Sequence, residues 1–340
     1  MELQIVKLDP LLCDFEMPLR AVYHPLGFPL EIETNSPGIL DAAEESWGHF
    51  RKAFSGPTMR MRIGVIESES GECPPEPVCR EQHSLLARVA NAANFSVSDL
   101  QQGFAFAWLT QAAVEHRPYL RWHFIEGMSW DLLGSRYITS VHAACVKRGE
   151  HGVLLCGDSG AGKSTLSYAC ARSGWTFLSD DSCCLVRGRK DRLVIGNPYQ
   201  IRFRESAIGM LPELRHHRRT PHNGEMAIEV ATAGLAEIKT ILRCSIDYII
   251  FLNRGAFSSP ELVPFPKDKA LKWFEQLICT GLRNIREAHK ASLRTLLAAE
   301  ILELRYSDLA SAVELLETLV CDDDRPPAES TSVLQTPENA

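Results

Sequence analysis

Gly157-Asp158-Ser159-Gly160-Ala161-Gly162-Lys163-Ser164-Thr165 matches G-x-x-x-x-G-K-[ST], the pattern of a loop that cradles phosphate groups. The spacing has a physical reason. Glycines let the backbone turn so that consecutive N–H groups face one anion. Lys163 adds a positive charge near the β and γ phosphates, and the Ser164 hydroxyl can hold Mg²⁺. The flanks agree with this reading. Val153-Leu154-Leu155-Cys156 reads as a buried strand, residues 165–172 read as a helix, and Gly174 signals its end. Phosphates would then sit at a helix N-terminus, where the macrodipole favours negative charge.

After that helix, Trp175-Thr176-Phe177-Leu178-Ser179-Asp180-Asp181 delivers two carboxylates to the end of the next strand. Strand, loop, helix and strand form one βαβ unit, so both strand ends open onto one edge of the sheet. One carboxylate can hold Mg²⁺ with Ser164, and the other is free to take a proton from an attacking hydroxyl. Upstream, residues 138–146 read as one strand that turns at Arg148-Gly149-Glu150 and runs back as residues 152–156. An antiparallel register then puts His142 beside the first glycine of the loop. A histidine on an apolar strand is ordinarily a packed core residue; at the mouth of a phosphate site it becomes a functional candidate.

The rest of the chain reads as framework. Residues 17–34 suggest a hairpin around Pro25-Leu26-Gly27. Ser36-Pro37 begins a helix with the apolar stripe Ile39, Leu40, Ala43, Trp47, Phe50 and Phe54. Met59, Met61, Ile63 and Val65 alternate as in a strand, and residues 67–82 read as a loop. Leu85, Leu86, Val89 and Ala92 suggest a helix, whereas residues 103–114 fit either element. Leu120, Phe124, Ile125, Met128 and Leu132 make one helical face that Gly134 ends. Further on come a hairpin (residues 183–195), an alternating strand that puts Arg202 and Arg204 on one face, and a basic loop (212–224). A core strand (246–252), helices (267–278 and 283–299), a strand (301–306) and a last helix capped by Ser307 follow. The two arginines could clamp a phosphate or simply face solvent.

Composition sets the outer bounds. The chain has 340 residues, 45% hydrophobic and 23% charged, as in an ordinary globular protein. Its net charge is −7, and −4 of that lies in the last 20 residues. No basic footprint for nucleic acid appears. No leader and no apolar run of membrane-spanning length is visible, so the expected location is cytoplasmic. The 11 cysteines form no C-x-x-C pair and are expected to be reduced, small apolar residues. The adjacent Cys183-Cys184 pair, close to the acids, is the candidate exception.

His142, the loop and Leu178-Ser179-Asp180-Asp181, in that order and spacing, resemble the HPr kinase/phosphorylase family, which shares its nucleotide core with phosphoenolpyruvate carboxykinase. The resemblance covers about residues 138–205. It implies an α/β fold: a P-loop nucleotide core of mixed β-sheet flanked by helices, here at residues 135–320. An α+β N-terminal domain (1–134) would precede it and a disordered acidic tail (321–340) would follow. It also implies Mg²⁺ as cofactor, ATP as phosphoryl donor, His142 beside the phosphates, Asp180 as general base, and Asp181 with Ser164 at Mg²⁺. Three features depart from the family: Thr165 stands where it has Glu, its downstream Gly-Leu-Asn run is missing, and the amino-terminal region does not match the family's. The acceptor implied is therefore a hydroxyl on a peptide, protein or small molecule, as in relatives that modify ribosomally made peptide precursors, and not HPr itself. A homo-oligomer is left open.

Two other functions share the loop. A nucleotide hydrolase or transport ATPase would be expected to carry Leu-Ser-Gly-Gly-Gln or Asn-Lys-x-Asp, and neither is present. A non-catalytic nucleotide-gated module would have no need of Lys163, Ser164, Asp180 and His142 together. The acid pair begins 17 residues after Lys163, at the end of the very next strand, which favours the kinase.

Overall fold

The computed structural model describes residues 15–68, 70–222, 225–276, 278 and 282–323; most of the expected tail lies outside them. The architecture is mixed α/β. The first sheet has the order β1-β2-β3-β7-β6-β5-β4. Its strands are β1 (Leu19–Tyr23), β2 (Leu30–Thr34), β3 (Met59–Ile66), β4 (Val78–Gln82), β5 (Leu85–Asn91), β6 (Asn94–Asp99) and β7 (Phe104–Thr110). The helices α1 (Pro37–Trp47), α2 (Gln111–Glu115), α3 (Arg117–Leu120) and α4 (Gly127–Arg136) accompany it. The hairpin expected at 17–34 is β1–β2, turning through Leu26 and Gly27, both at positive φ.

Four local expectations fail here. Residues 78–82 are a strand, not loop, and 85–91 form β5, not a helix. Tight turns at His83 (φ 53°) and at Ala92-Ala93 fold this stretch into a meander whose register overrides the helical spacing. α1 ends at Trp47, so Phe50 and Phe54 pack from the segment beyond it. Gly134 does not end α4, which runs on to Arg136.

In the second part, β8 (Ile138–Val141), β9 (Ala143–Arg148) and β10 (His151–Cys156) lead into α5 (Lys163–Arg172) and β11 (Thr176–Ser179). Next come β12 (Cys183–Val186), β13 (Leu193–Gly196), β14 (Gln200–Arg204), β15 (Arg218–His222), β16 (Glu225–Ala231), β17 (Lys239–Thr240) and β18 (Arg243–Ser245). β19 (Tyr248–Arg254), β20 (Glu261–Pro264), α6 (Lys267–Glu275), α7 (Arg283–Leu296), β21 (Glu300–Tyr306) and α8 (Leu309–Asp323) complete it. The basic stretch at 212–224 is therefore partly strand, and α8 continues into the segment expected to be disordered. The cap of α8 is Asp308, whose carboxylate accepts the Ser311 N–H at 2.9 Å, and not Ser307.

The central sheet has the order β17-β11-β9-β10-β19-β21-β20. β9 runs antiparallel to both β10 and β11, so those two point the same way and end on one edge. α5 and α8 cover one face through Leu166, Cys170, Ala312 and Leu316. α6 and α7 cover the other through Ala270, Phe274, Leu293 and Leu296. Burial on both faces explains why Val153-Leu154-Leu155-Cys156 is apolar without alternation.

A smaller sheet, β18-β13-β12-β8, stands between the central sheet and the core of the first sheet. Along β12 the side chains alternate: Cys184 and Val186 enter the N-terminal core, while Cys183 and Leu185 enter the central one. The adjacent cysteines thus point to opposite faces. All described cysteines are free, and burial pushes the thiols of Cys156, Cys170 and Cys184 up, which keeps them protonated and unreactive.

Gly152 marks where β18 crosses β10. A Cβ there would stand 2.0 Å from the Ser245 carbonyl oxygen, and Asp247 brackets the residue by accepting the Gly152 N–H at 3.2 Å and donating its own N–H to the Gly152 carbonyl at 2.9 Å. Backbone fixed on both sides cannot give way. Gly152→Ala is therefore expected to destabilise the protein by about 3 kcal/mol, the upper range for overpacking, read as a lowered urea midpoint. An unchanged midpoint would show that the crossing is loose.

Candidate functional site

The loop leaves β10 after Cys156 and enters α5 at Lys163. Gly162 holds φ at 99°, and a Cβ on it would lie 3.1 Å from the Tyr306 hydroxyl, so both conformation and space demand glycine. That hydroxyl is buried and has no hydrogen-bond partner among the described residues. Gly157, at φ 152°, lets the chain turn off the strand against Ala161. The first intrahelical bond runs from Leu166 N–H to the Gly162 carbonyl at 2.8 Å, leaving the N–H groups at the start of α5 directed at the loop's concavity.

Lys163 is buried, at 5% exposure. Its ammonium donates to the carbonyls of Gly157 at 2.8 Å and Asp158 at 3.2 Å, and lies 3.1 Å from His142 Nε2. Burial holds its pKa below the ordinary lysine value. The expected single strand 138–146 breaks at His142, between β8 of the smaller sheet and β9 of the central one. Ala143 pairs with Cys156, so His142 stands at the loop mouth where the register argument puts it. Its Nδ1 is 3.3 Å from Asp181 Oδ1. Burial lowers the His142 pKa, against the pull of Asp181 and with the push of Lys163. A neutral ring with the proton on Nδ1 satisfies both contacts: Nε2 accepts from Lys163 and Nδ1 donates to Asp181.

The adjacent acids occupy different surroundings. Asp181 is half exposed, at 54% of its side chain. Asp180 is 8% exposed, and its Oδ2 accepts the Arg202 N–H at 2.6 Å. Burial, the largest cause, raises the Asp180 pKa to about 7, with Asp181 adding to the rise and the Arg202 N–H opposing it. Ser164 Oγ lies 3.5 Å from the Asp180 carbonyl oxygen, while the Asp181 carboxylate is turned to His142. The two arginines part company. Arg204 donates to Ser159 Oγ in the loop at 2.7 Å, whereas the Arg202 guanidinium lies 3.9 Å from Glu229 and serves the acids through its main chain.

One contact escapes sequence reasoning. Trp273 of α6 donates its indole N–H to Asp158 Oδ1 at 3.1 Å, across 115 residues of sequence. No local pattern signals such a pair. Among the described residues no group of three or more His, Cys, Asp or Glu is placed to hold a metal ion alone, and no helix is long and apolar enough to cross a membrane.

Among solved structures, the chain is similar to the HPr(Ser) kinase/phosphatase from Coxiella burnetii, at 16% sequence identity and a TM-score of 0.30, over 54% of this chain and 95% of that one. No family model and no curated protein matches it. The functional reading rests on the geometry of the loop and its neighbours.

Proposed function

We propose that the chain is a Mg-ATP-dependent kinase that transfers a phosphoryl group to a hydroxyl, a serine of a peptide or protein or a small-molecule alcohol. In this reading residues 135–320 are an HPr kinase-like nucleotide core and residues 1–134 an N-terminal α+β domain whose core it completes with Ile138, Cys184 and Val186. The observation that carries it is the run of contacts from the phosphate loop through Lys163, His142 and Asp181, beside a buried Asp180 whose pKa is near neutral. A carboxyl group tuned to about 7 is suited to removing a proton from a hydroxyl.

The residues take the following roles. The loop from Gly157 to Thr165 holds the triphosphate, and Lys163 turns from its own carbonyls to the transferred group, lowering the cost of charge there. Asp180 keeps Oδ2 on the Arg202 N–H and takes the acceptor proton at Oδ1. His142 holds Asp181 in place. Mg²⁺ would be held by the Ser164 hydroxyl and the Asp181 carboxylate, oxygen donors of the kind it takes, and would supply positive charge beside the phosphate groups.

The deciding experiment is incubation with γ-labelled ATP and a lysate of the source organism, followed by identification of the labelled species. ATP turnover undiminished without any acceptor would make the protein a hydrolase instead. Binding of ATP with no transfer to any acceptor would make it a nucleotide-gated module. Arg204 gives a narrower test. Because its guanidinium already reaches the loop, Arg204→Ala is expected to lower kcat/KM for ATP by about tenfold or more, the scale of one charge-assisted contact to phosphate. Arg202→Ala, which keeps the main-chain bond to Asp180, is expected to lose less.

A further inference from the structure

We propose that Trp273 is a positioning residue for nucleotide binding: its indole N–H holds the Asp158 carboxylate away from the phosphate cradle. This rests on the loop being a nucleotide site. Asp158 is the second residue of the loop, so it places a negative charge where the ligand is itself strongly negative. Like charges that close repel strongly enough to matter for affinity. The Asp158 charge reaches the groups of the cradle, pulling upward on Lys163 and His142 against the burial that lowers both.

The tether is built to keep that charge in one place. Asp158 Oδ1 accepts the indole N–H at 3.1 Å. The ring is fixed in turn by Phe251, edge to face at 5.4 Å between centroids, and by Phe274 at 5.3 Å. Phe251 ends the buried run of β19, and Phe274, on α6 itself, is fully buried. The tether therefore connects the phosphate loop to two elements of the rigid central core. On the other side Arg204 holds Ser159, the next residue. Both side chains thus carry a partner from outside the loop, and backbone N–H groups and the Lys163 ammonium remain to meet the phosphates. The plainer account is that the indole N–H simply needs an acceptor and the ring fills space against Phe251. The two accounts differ in whether the effect of the indole depends on the Asp158 charge.

A double-mutant cycle separates them, with Mg-ADP as the probe and its Kd measured by calorimetry. Trp273→Phe keeps the aromatic stack and removes only the donor. It is expected to weaken Mg-ADP binding about tenfold, the size of one loosely screened charge at close range. In the Asp158→Asn background the same change is expected to cost less than about twofold, because no charge remains to be held back. Raising salt should shrink the Trp273→Phe defect, since screening acts on the freed carboxylate. Equal losses in both backgrounds, or a salt-independent defect, would overturn the proposal in favour of simple packing. A wild-type protein that binds no Mg-ADP would take down the kinase reading itself, whereas wild-type binding unchanged by Trp273→Phe would take down this inference alone.

Discussion

On the proposed mechanism Asp180→Asn is expected to lower phosphoryl transfer by about two to four powers of ten, the range that a positioned general base supplies, and to leave Mg-ATP binding close to that of the wild type. Asparagine keeps the shape of the side chain and an oxygen for the Arg202 N–H, which lies 2.6 Å from Oδ2. It cannot take a proton. The wild-type pH profile gives a second readout. The Asp180 pKa is raised to about 7, and a general base acts only when ionised, so with Asp180 as base kcat/KM is expected to rise with pH and level off above about 7. The residual activity of the variant lacks that step. A variant that loses binding and transfer together would instead mark Asp180 as part of the framework.

The same group leaves a mark on stability, and its sign is fixed. Between the ordinary aspartate value of about 4 and the folded value of about 7, the native protein holds a proton that the unfolded chain has released. Native protein binds more protons in that window, so this group's contribution makes stability fall as pH rises through it and flatten beyond. Asp180→Asn removes that slope. Urea midpoints at pH 5 and pH 8 for the two proteins measure it. Equal slopes in both would mean that Asp180 is not desolvated in the native state.

The parts legible in the sequence are those set by local chemistry. The glycine-rich turn between β10 and α5, the β1–β2 hairpin and the strand that ends before Asp180 and Asp181 each depend on glycine, proline or an apolar run within a few residues, and each element stands where the spacing put it. β4 and β5 were not legible. Val78, Leu85 and Val89 are exposed there, so the pattern lacks the one-sided burial that marks a strand, and pairing with β6 decides the matter. The break at His142 was hidden for a different reason. Val141 before it and Ala143 to Val146 after it are all buried and apolar, because one half of the stretch belongs to each of two packed sheets, and such a flank does not show where the chain changes sheet. The Arg202 and Arg204 alternation was visible, but not that one guanidinium reaches Ser159 while the other lies near Glu229. Long-range partners of that kind are set by the packing of whole elements.

Lys163→Met is expected to lower kcat by about two to three powers of ten, the loss seen when one preorganised group is removed from developing charge, and to weaken nucleotide binding as well. Methionine replaces most of the stem but none of the charge. In the wild type the ammonium is already at hand: burial keeps it 5% exposed, and the Gly157 and Asp158 carbonyls and His142 Nε2 hold it within 3.2 Å. Those three partners are weaker acceptors than a phosphate oxygen, so exchange for the phosphoryl group is downhill. The substitution also tests the wiring. Lys163 lowers the His142 pKa while Asp181 raises it; without the ammonium the imidazole loses a repulsive neighbour and keeps its attractive one, so its pKa must rise. Titration of the His142 ring by NMR in wild-type and variant protein reads this directly. An unmoved His142 titration would mean that the contact between the two side chains is not made in solution, and transfer retained within tenfold would show that the loop works without its charge.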